Sequence, residues 1–131
     1  MKLSIIIPVF NEEKTIEEVL KKVLNLEIPG VEKEIIVVDD GSTDNSKFKI
    51  QSFDFAQDKN SKFAGIKKIF HEKNMGKGAA VRTGIKNATG DYIIIQDADL
   101  EYDVNDIPRL VRQIKSKNDV IYGTRLARLP H

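Results

Sequence analysis

Short apolar runs alternate along the chain with stretches in which apolar residues recur every three to four positions. Residues 3–7 form the first run, closed by Pro8, as expected for a strand buried on both faces. Ile16, Val19, Leu20, Val23 and Leu24 then fall at helical spacing. Asn11 is placed to cap that helix, with Glu12 and Glu13 near its positive end. Pro29-Gly30 closes the unit. Ile35-Ile36-Val37-Val38 predicts a second strand, stopping at the turn signature Asp39-Asp40-Gly41-Ser42. Residues 66–70 predict a third strand, after which Met75-Gly76-Lys77-Gly78 leads into a helix over roughly residues 79–87. Residues 92–96 predict a fourth strand. Ile107, Leu110, Val111 and Ile114 share one face of a further helix, and residues 120–122 predict a last short strand. Residues 44–64 follow neither period. Phe48, Phe53, Phe55 and Phe63 are scattered among polar residues, so a helix followed by a mobile insertion, within 48–64, is expected there.

Strands alternating with helices predict an α/β fold with a mostly parallel sheet covered on both faces. In such sheets the ligand sits at the carboxyl ends of the strands. Five strand ends carry polar clusters: Asn11-Glu12, Asp39-Asp40, His71 to Lys77, Asp97 to Glu101, and Arg125. Their coincidence predicts a single site.

Composition narrows the class. A chain of 131 residues suits one domain, here taken as 1–131. With 40% hydrophobic and 31% charged residues it has enough apolar content for a core, which excludes a disordered chain. Lys plus Arg is 21 against 20 for Asp plus Glu, a net +1 that argues against a nucleic-acid partner. With no Cys, disulfides, thiolate zinc sites and a cysteine nucleophile are excluded. No apolar run reaches the ~18 residues of a membrane helix, and Asn11-Glu12-Glu13 stands where a signal peptide needs small residues. The cytoplasm is therefore the expected compartment, with peripheral docking on the cytoplasmic membrane face left open.

The candidate chemistry centres on Asp97-Ala98-Asp99. Carboxylates at i and i+2 point the same way on extended backbone and repel unless a cation lies between them. Glu101 continues the period and offers a third oxygen. Such a set suits Mg2+ or Mn2+, whose remaining ligands are water and substrate phosphates. The plainer alternative is a solvated acidic turn. Asp40 is placed to accept a hydrogen bond from a ribose or a base N–H, or else forms a polar turn. Met75-Gly76-Lys77-Gly78 resembles neither a P-loop nor a good dinucleotide fingerprint, but its glycines and helix start suit a phosphate. Arg125 is either a surface charge or a phosphate clamp. His71, with no second His nearby, reads as a surface or core residue rather than a metal ligand.

Taken in order, residues 5–12, 37–44, 74–78, 90–92 and 96–100 resemble the inverting glycosyltransferases of family 2, with the GT-A fold, a nucleotide-diphospho-sugar transferase architecture of three α/β/α layers. Asp97-Ala98-Asp99-Leu100-Glu101-Tyr102 and Gly123-Thr124-Arg125 are especially similar to the polyprenyl-phosphate branch, the dolichol-phosphate mannose synthases among them. The resemblance implies that Pro8, Phe10 and Glu12 line the nucleotide pocket, that Asp40 contacts base or ribose, and that Lys77 lies near the nucleotide. It implies that Asp97, Ala98 and Asp99 meet the nucleotide-sugar, a GDP- or UDP-sugar, with the metal on Asp97, Asp99 and Glu101. Catalytic roles fall to Asp99 and Arg125, the latter on the phosphate of a polyprenyl acceptor. Such an acceptor is already anionic, so the lack of an evident general base is tolerable, whereas the polysaccharide-type branch would need one.

Related domains continue past the Gly-Thr-Arg segment into acceptor-binding helices, so the resemblance implies a truncated, donor-binding half. A missing C-terminal half would expose apolar surface and favour self-association or a partner chain. A non-catalytic nucleotide-binding fragment is the alternative from another class. A receiver-type signalling domain fits the size, but its acidic pair follows the first strand and not the second. A nucleotidyltransferase would need a glycine- and arginine-rich loop where Pro8-Val9-Phe10-Asn11 stands.

Overall fold

Residues Lys2–Val9 form β1, and every one after Lys2 is buried, as the continuous apolar run requires. The computed structural model describes residues 1–55, 63–114 and 126–128. Its elements run β1, α1 (Ile16–Asn25), β2 (Glu32–Asp39), α2 (Ser46–Ser52), β3 (Phe63–Phe70), α3 (Lys77–Asn87), β4 (Tyr92–Ile95), a 3-10 turn (Val104–Asp106), α4 (Ile107–Arg112) and β5 (Leu126–Arg128). The sheet order is β3-β2-β1-β4-β5. The first four strands are mutually parallel, and β5 joins β4 antiparallel at the edge. No helix among the described residues is long and apolar enough to cross a membrane.

Alternation along β1 divides the core. Leu3, Ile5, Ile7 and Val9 pack with Ile16, Leu20 and Val23 of α1, Ile50 of α2 and Ile107 of α4. Ile6 points the other way, among Ile36, Val38, Ile93 and Ala80 of α3. The result is the three-layer α/β/α arrangement. On the α3 side the approach is close: a Cβ at Gly84 would lie 2.5 Å from Ile6 Cγ2, so glycine lets this helix sit down on β1.

Lysines finish three of the helices. Lys33, 3% exposed, sends its Nζ to the carbonyls of Leu24 and Leu26 at the end of α1. Lys68 Nζ bonds Gln51 O and Phe53 O after α2, at 3.2 and 3.1 Å, and Lys67 Nζ bonds Asn87 O, the last residue of α3. Each ammonium satisfies carbonyls that a helix C-terminus leaves orphaned and opposes its negative dipole end.

Several expectations are corrected. Asn11 does not cap α1, whose N-cap is Thr15. Instead Asn11 adopts φ 52, and its Oδ1 accepts the amides of Thr43 and Asp44, at 2.8 and 3.3 Å. The acids in the first turn of α1 are Glu17 and Glu18, not Glu12 and Glu13. Within the expected insertion 48–64, residues through Ser52 belong to α2 and those from Phe63 to β3. Ile50 is fully buried and Phe55 nearly so, with the Phe53 and Phe55 rings edge-on at 4.6 Å. Residues 56–62 lie outside the described residues, as do the strand predicted at 120–122 and Arg125. The antiparallel strand Leu126–Arg128 was not anticipated from the sequence.

Candidate functional site

Backbone hydrogen bonds first carry the strand ends into register at the carboxyl edge. Asp40 N donates to Val9 O at 2.8 Å, His71 N to Asp39 O at 2.8 Å, and Gln96 N to Ile6 O at 2.9 Å. The loops beyond are then tied to one another. Ser42 Oγ donates to Asp39 Oδ1 at 2.6 Å and receives Asn11 N at 2.9 Å. Glu12 N donates to Ser46 Oγ at 2.8 Å. Thr15 Oγ1 reaches Ala98 O, joining the start of α1 to the loop after β4.

These ties enclose a cleft of about 470 Å³. It brings together Pro8, Phe10, Glu12, Asp40, Lys77, Asp97, Ala98 and Asp99, eight of the residues singled out from the sequence. Val9, Asn74, Gly76 and Ala80 complete the wall and were not singled out individually. Glu101 is exposed and outside this lining; its amide donates to Asp99 Oδ1 at 3.0 Å. Arg125 is not among the described residues.

The electrostatics of the cleft are acidic. Burial raises the Glu12 carboxyl above its ordinary value; a hydrogen bond from Thr15 opposes this, and the charges of Asp99, Asp44 and Asp97 raise it further. The charges of Asp97 and Asp99 thus reach Glu12 across the cleft, and hard carboxylate oxygens are the donors that a divalent cation takes. Of the four carboxylates in the lining, Asp97 and Asp99 are the pair that could hold such an ion. Among the described residues no group of three or more His, Cys, Asp or Glu is placed to hold a metal ion. An open two-carboxylate site agrees with Mg2+-type coordination, in which water and substrate phosphates supply the rest. Lys77, at the first position of α3, bonds Asp97 Oδ1.

Asp40 is placed differently from a free acceptor. Its carboxylate takes His71 Nδ1 at 2.8 Å and the amides of Met75 and Gly76 at 3.0 and 2.8 Å. Burial raises its pKa, but the His71 bond and the two amides outweigh it and hold the carboxyl below its ordinary value. The two amides that precede α3, expected to meet a phosphate, thus meet Asp40. His71 also bonds Thr83 Oγ1 through Nε2 at 2.8 Å, a role that a lone histidine in a sequence does not announce.

Residues 4–130 match the model of the family described as Glycosyl transferase family 2. A dolichol-phosphate mannosyltransferase of Pyrococcus furiosus is 38% identical over 125 residues, covering 95% of this chain and 33% of that protein. Among solved structures, the mannosyltransferase PcManGT from Pyrobaculum calidifontis, in complex with GDP-Man and Mn2+, superposes with a TM-score of 0.70 at 25% identity, over 88% of this chain and 33% of that one. TarS 1-349 of S. aureus in complex with UDP-GlcNAc gives a TM-score of 0.61 at 32% identity, over 76% of this chain and 27% of that one. The chain thus spans about a third of the length of the curated relative it matches. The strand order, the acidic cleft at the sheet's carboxyl edge and the match over nearly the whole sequence lead to one conclusion: this chain belongs to glycosyl transferase family 2 and has the GT-A fold.

Proposed function

We propose that this chain carries the donor site of a glycosyltransferase that moves a hexose from a GDP- or UDP-linked sugar to a polyprenyl phosphate, with inversion at the anomeric carbon. The observation that carries the reading is the convergence of Glu12, Asp97 and Asp99 beside Lys77 in one cleft. Family membership and the name of the Pyrococcus furiosus relative support the reaction class and the acceptor. The complexes of PcManGT with GDP-Man and of TarS with UDP-GlcNAc keep both bases in play.

In this reading Pro8 and Phe10 form the apolar wall for the base, and Asp40 accepts a donor from the nucleoside. Asp97 and Asp99 hold Mg2+ or Mn2+, with Glu101 as a further oxygen. The cation, when bound, stabilises the leaving diphosphate as a Lewis acid and fixes its geometry. Lys77 neutralises phosphate charge from the start of α3. Asp99 orients the donor, and Arg125 is assigned the acceptor phosphate on the resemblance alone. A lipid phosphate is anionic near neutral pH and attacks without a general base, which fits a cleft whose carboxylates are committed elsewhere. A lipid acceptor of this kind would be met at a membrane surface, and we propose a cytoplasmic protein that works at the cytoplasmic membrane face.

The test is calorimetric titration of GDP and of UDP, each with Mn2+ and with EDTA. Metal-dependent binding of one nucleotide is expected, followed by sugar transfer to a short-chain polyprenyl phosphate by the full-length protein. Absence of binding by both nucleotides in Mn2+ would sink the proposal.

A further inference from the structure

The Asp40 carboxylate is nearly saturated by the protein. A carboxylate oxygen offers about two lone-pair sites. Oδ1 uses both, on His71 Nδ1 and Met75 N, and Oδ2 uses one, on Gly76 N. Asp40 lines the cleft while its side chain is only 3% exposed. Among the described residues one acceptor position, on Oδ2, is left without a partner.

His71 determines where that position points. A carboxylate at Asp40 only accepts, so Nδ1 carries the hydrogen of that bond. In the neutral ring Nε2 then accepts from the Thr83 hydroxyl, 2.8 Å away on α3. The imidazole is clamped at both nitrogens and is 13% exposed. The loop it anchors has little room to shift: Gly41 has φ +70, and a Cβ there would lie 2.4 Å from Asn74 N.

Resting on the donor-site reading above, we infer that His71 is a positioning residue for nucleoside recognition. Through the chain Thr83–His71–Asp40 it holds the Asp40 carboxylate in one orientation, so that a single acceptor faces one N–H or O–H of the nucleoside. The diphosphate, held at Asp97 and Asp99, lies outside this chain of bonds.

Side-chain geometry separates this role from simple space-filling. The amide nitrogen of an Asn falls near the place of Nδ1, and that of a Gln near the place of Nε2. His71→Asn therefore retains a donor to Asp40, whereas His71→Gln retains only the link to Thr83.

The experiment titrates the unsubstituted chain and each variant with GDP, UDP and inorganic pyrophosphate, all in Mn2+. His71→Gln is expected to weaken the preferred nucleotide about ten-fold, with pyrophosphate unchanged, and His71→Asn to recover most of the loss. Thr83→Val, which leaves the ring in place, is expected to weaken the nucleotide about two-fold. Long-range proton–nitrogen NMR of the free chain, which has two histidines, should show His71 as the Nδ1–H tautomer. Equal losses for pyrophosphate and nucleotide, an Asn variant as weak as the Gln variant, or an Nε2–H tautomer would each overturn the inference. If the unsubstituted chain binds pyrophosphate but neither nucleotide, the donor-site reading fails first and takes this inference with it.

Discussion

The ammonium of Lys77, on the first residue of α3, bonds Oδ1 of Asp97 beyond the end of β4, joining two walls of the cleft. The ion pair occupies one of the oxygens proposed for the metal. Lys77 is about half exposed, so the pair is screened and exchangeable. Lys77→Ala is expected to raise the affinity for Mn2+ alone about two- to five-fold while weakening GDP or UDP in Mn2+. Calorimetry in the presence and absence of nucleotide reads both changes; weaker binding of Mn2+ alone would contradict the competition.

Asp99 is exposed and its fold-directed bond is one from the Glu101 amide. Asn keeps an oxygen for that amide and loses the charge. Asp99→Asn should therefore melt with the parent while its Mn2+-dependent nucleotide affinity falls about ten-fold or more. Undiminished binding would remove Asp99 from the metal site.

Glu12 carries the opposite balance of stability and function. Burial is the largest influence on it, with Asp99, Asp44 and Asp97 adding to the upward shift of its carboxyl. The native state thus binds that proton more tightly than the unfolded chain does. Ionised Glu12 is destabilising at neutral pH, and the strain is relieved as pH falls through the raised native value toward 4.5. Glu12→Gln is expected to melt above the parent at pH 7 yet bind donor nucleotide more weakly. A lower melting temperature would refute the electrostatic account.

Asp40 and Glu34 predict the acid limb. Burial raises both carboxyls, but hydrogen bonds prevail: His71, Met75 and Gly76 at Asp40, and Thr89, Ser4 and Lys67 at Glu34. Both end below their ordinary values of 3.8 and 4.5. Their stabilisation is complete above those values and is lost as pH falls through the depressed native ones. Circular-dichroism melts should be nearly level from about pH 7 to 5 and drop below about pH 4. A melting temperature at pH 3 equal to that at pH 7 would count against it.

Lys33 tests the helix-ending lysines. With its ammonium removed and an apolar stem of similar shape kept, the carbonyls of Leu24 and Leu26 lose a buried donor. Lys33→Met should cost about 1–3 kcal/mol, read from the midpoint of urea unfolding at unchanged slope.

What the sequence displayed was local. The buried runs of β1, β2 and β4 and the helical period of α1 are patterns within ten residues, and the strand-end acids follow from them. What it hid depends on partners far along the chain. Asn11 has the composition of a cap, but the amides that claim it belong to Thr43 and Asp44, on another loop. In α2 only Ser46 and Ile50 are buried, too few to set a period. His71 is silent until β2, β3 and α3 meet around it. The placement of Asp97, Asp99 and Asp40 in one cleft was legible; the commitment of Asp40 to the loop before α3 was not.

The acid-rich lining of the cleft also bears on how its ligands arrive. Among the described lining residues four are carboxylates and one is an ammonium. A nucleoside diphosphate meets repulsion there, and a divalent ion meets attraction. If the cleft takes both, as the proposed function requires, each raises the affinity for the other by the same factor, because linkage between two binding equilibria is reciprocal. Under the proposed donor-site function, occupancy by donor would then follow the free metal concentration, and at low metal the cleft would reject a nucleotide that it holds when metal is plentiful.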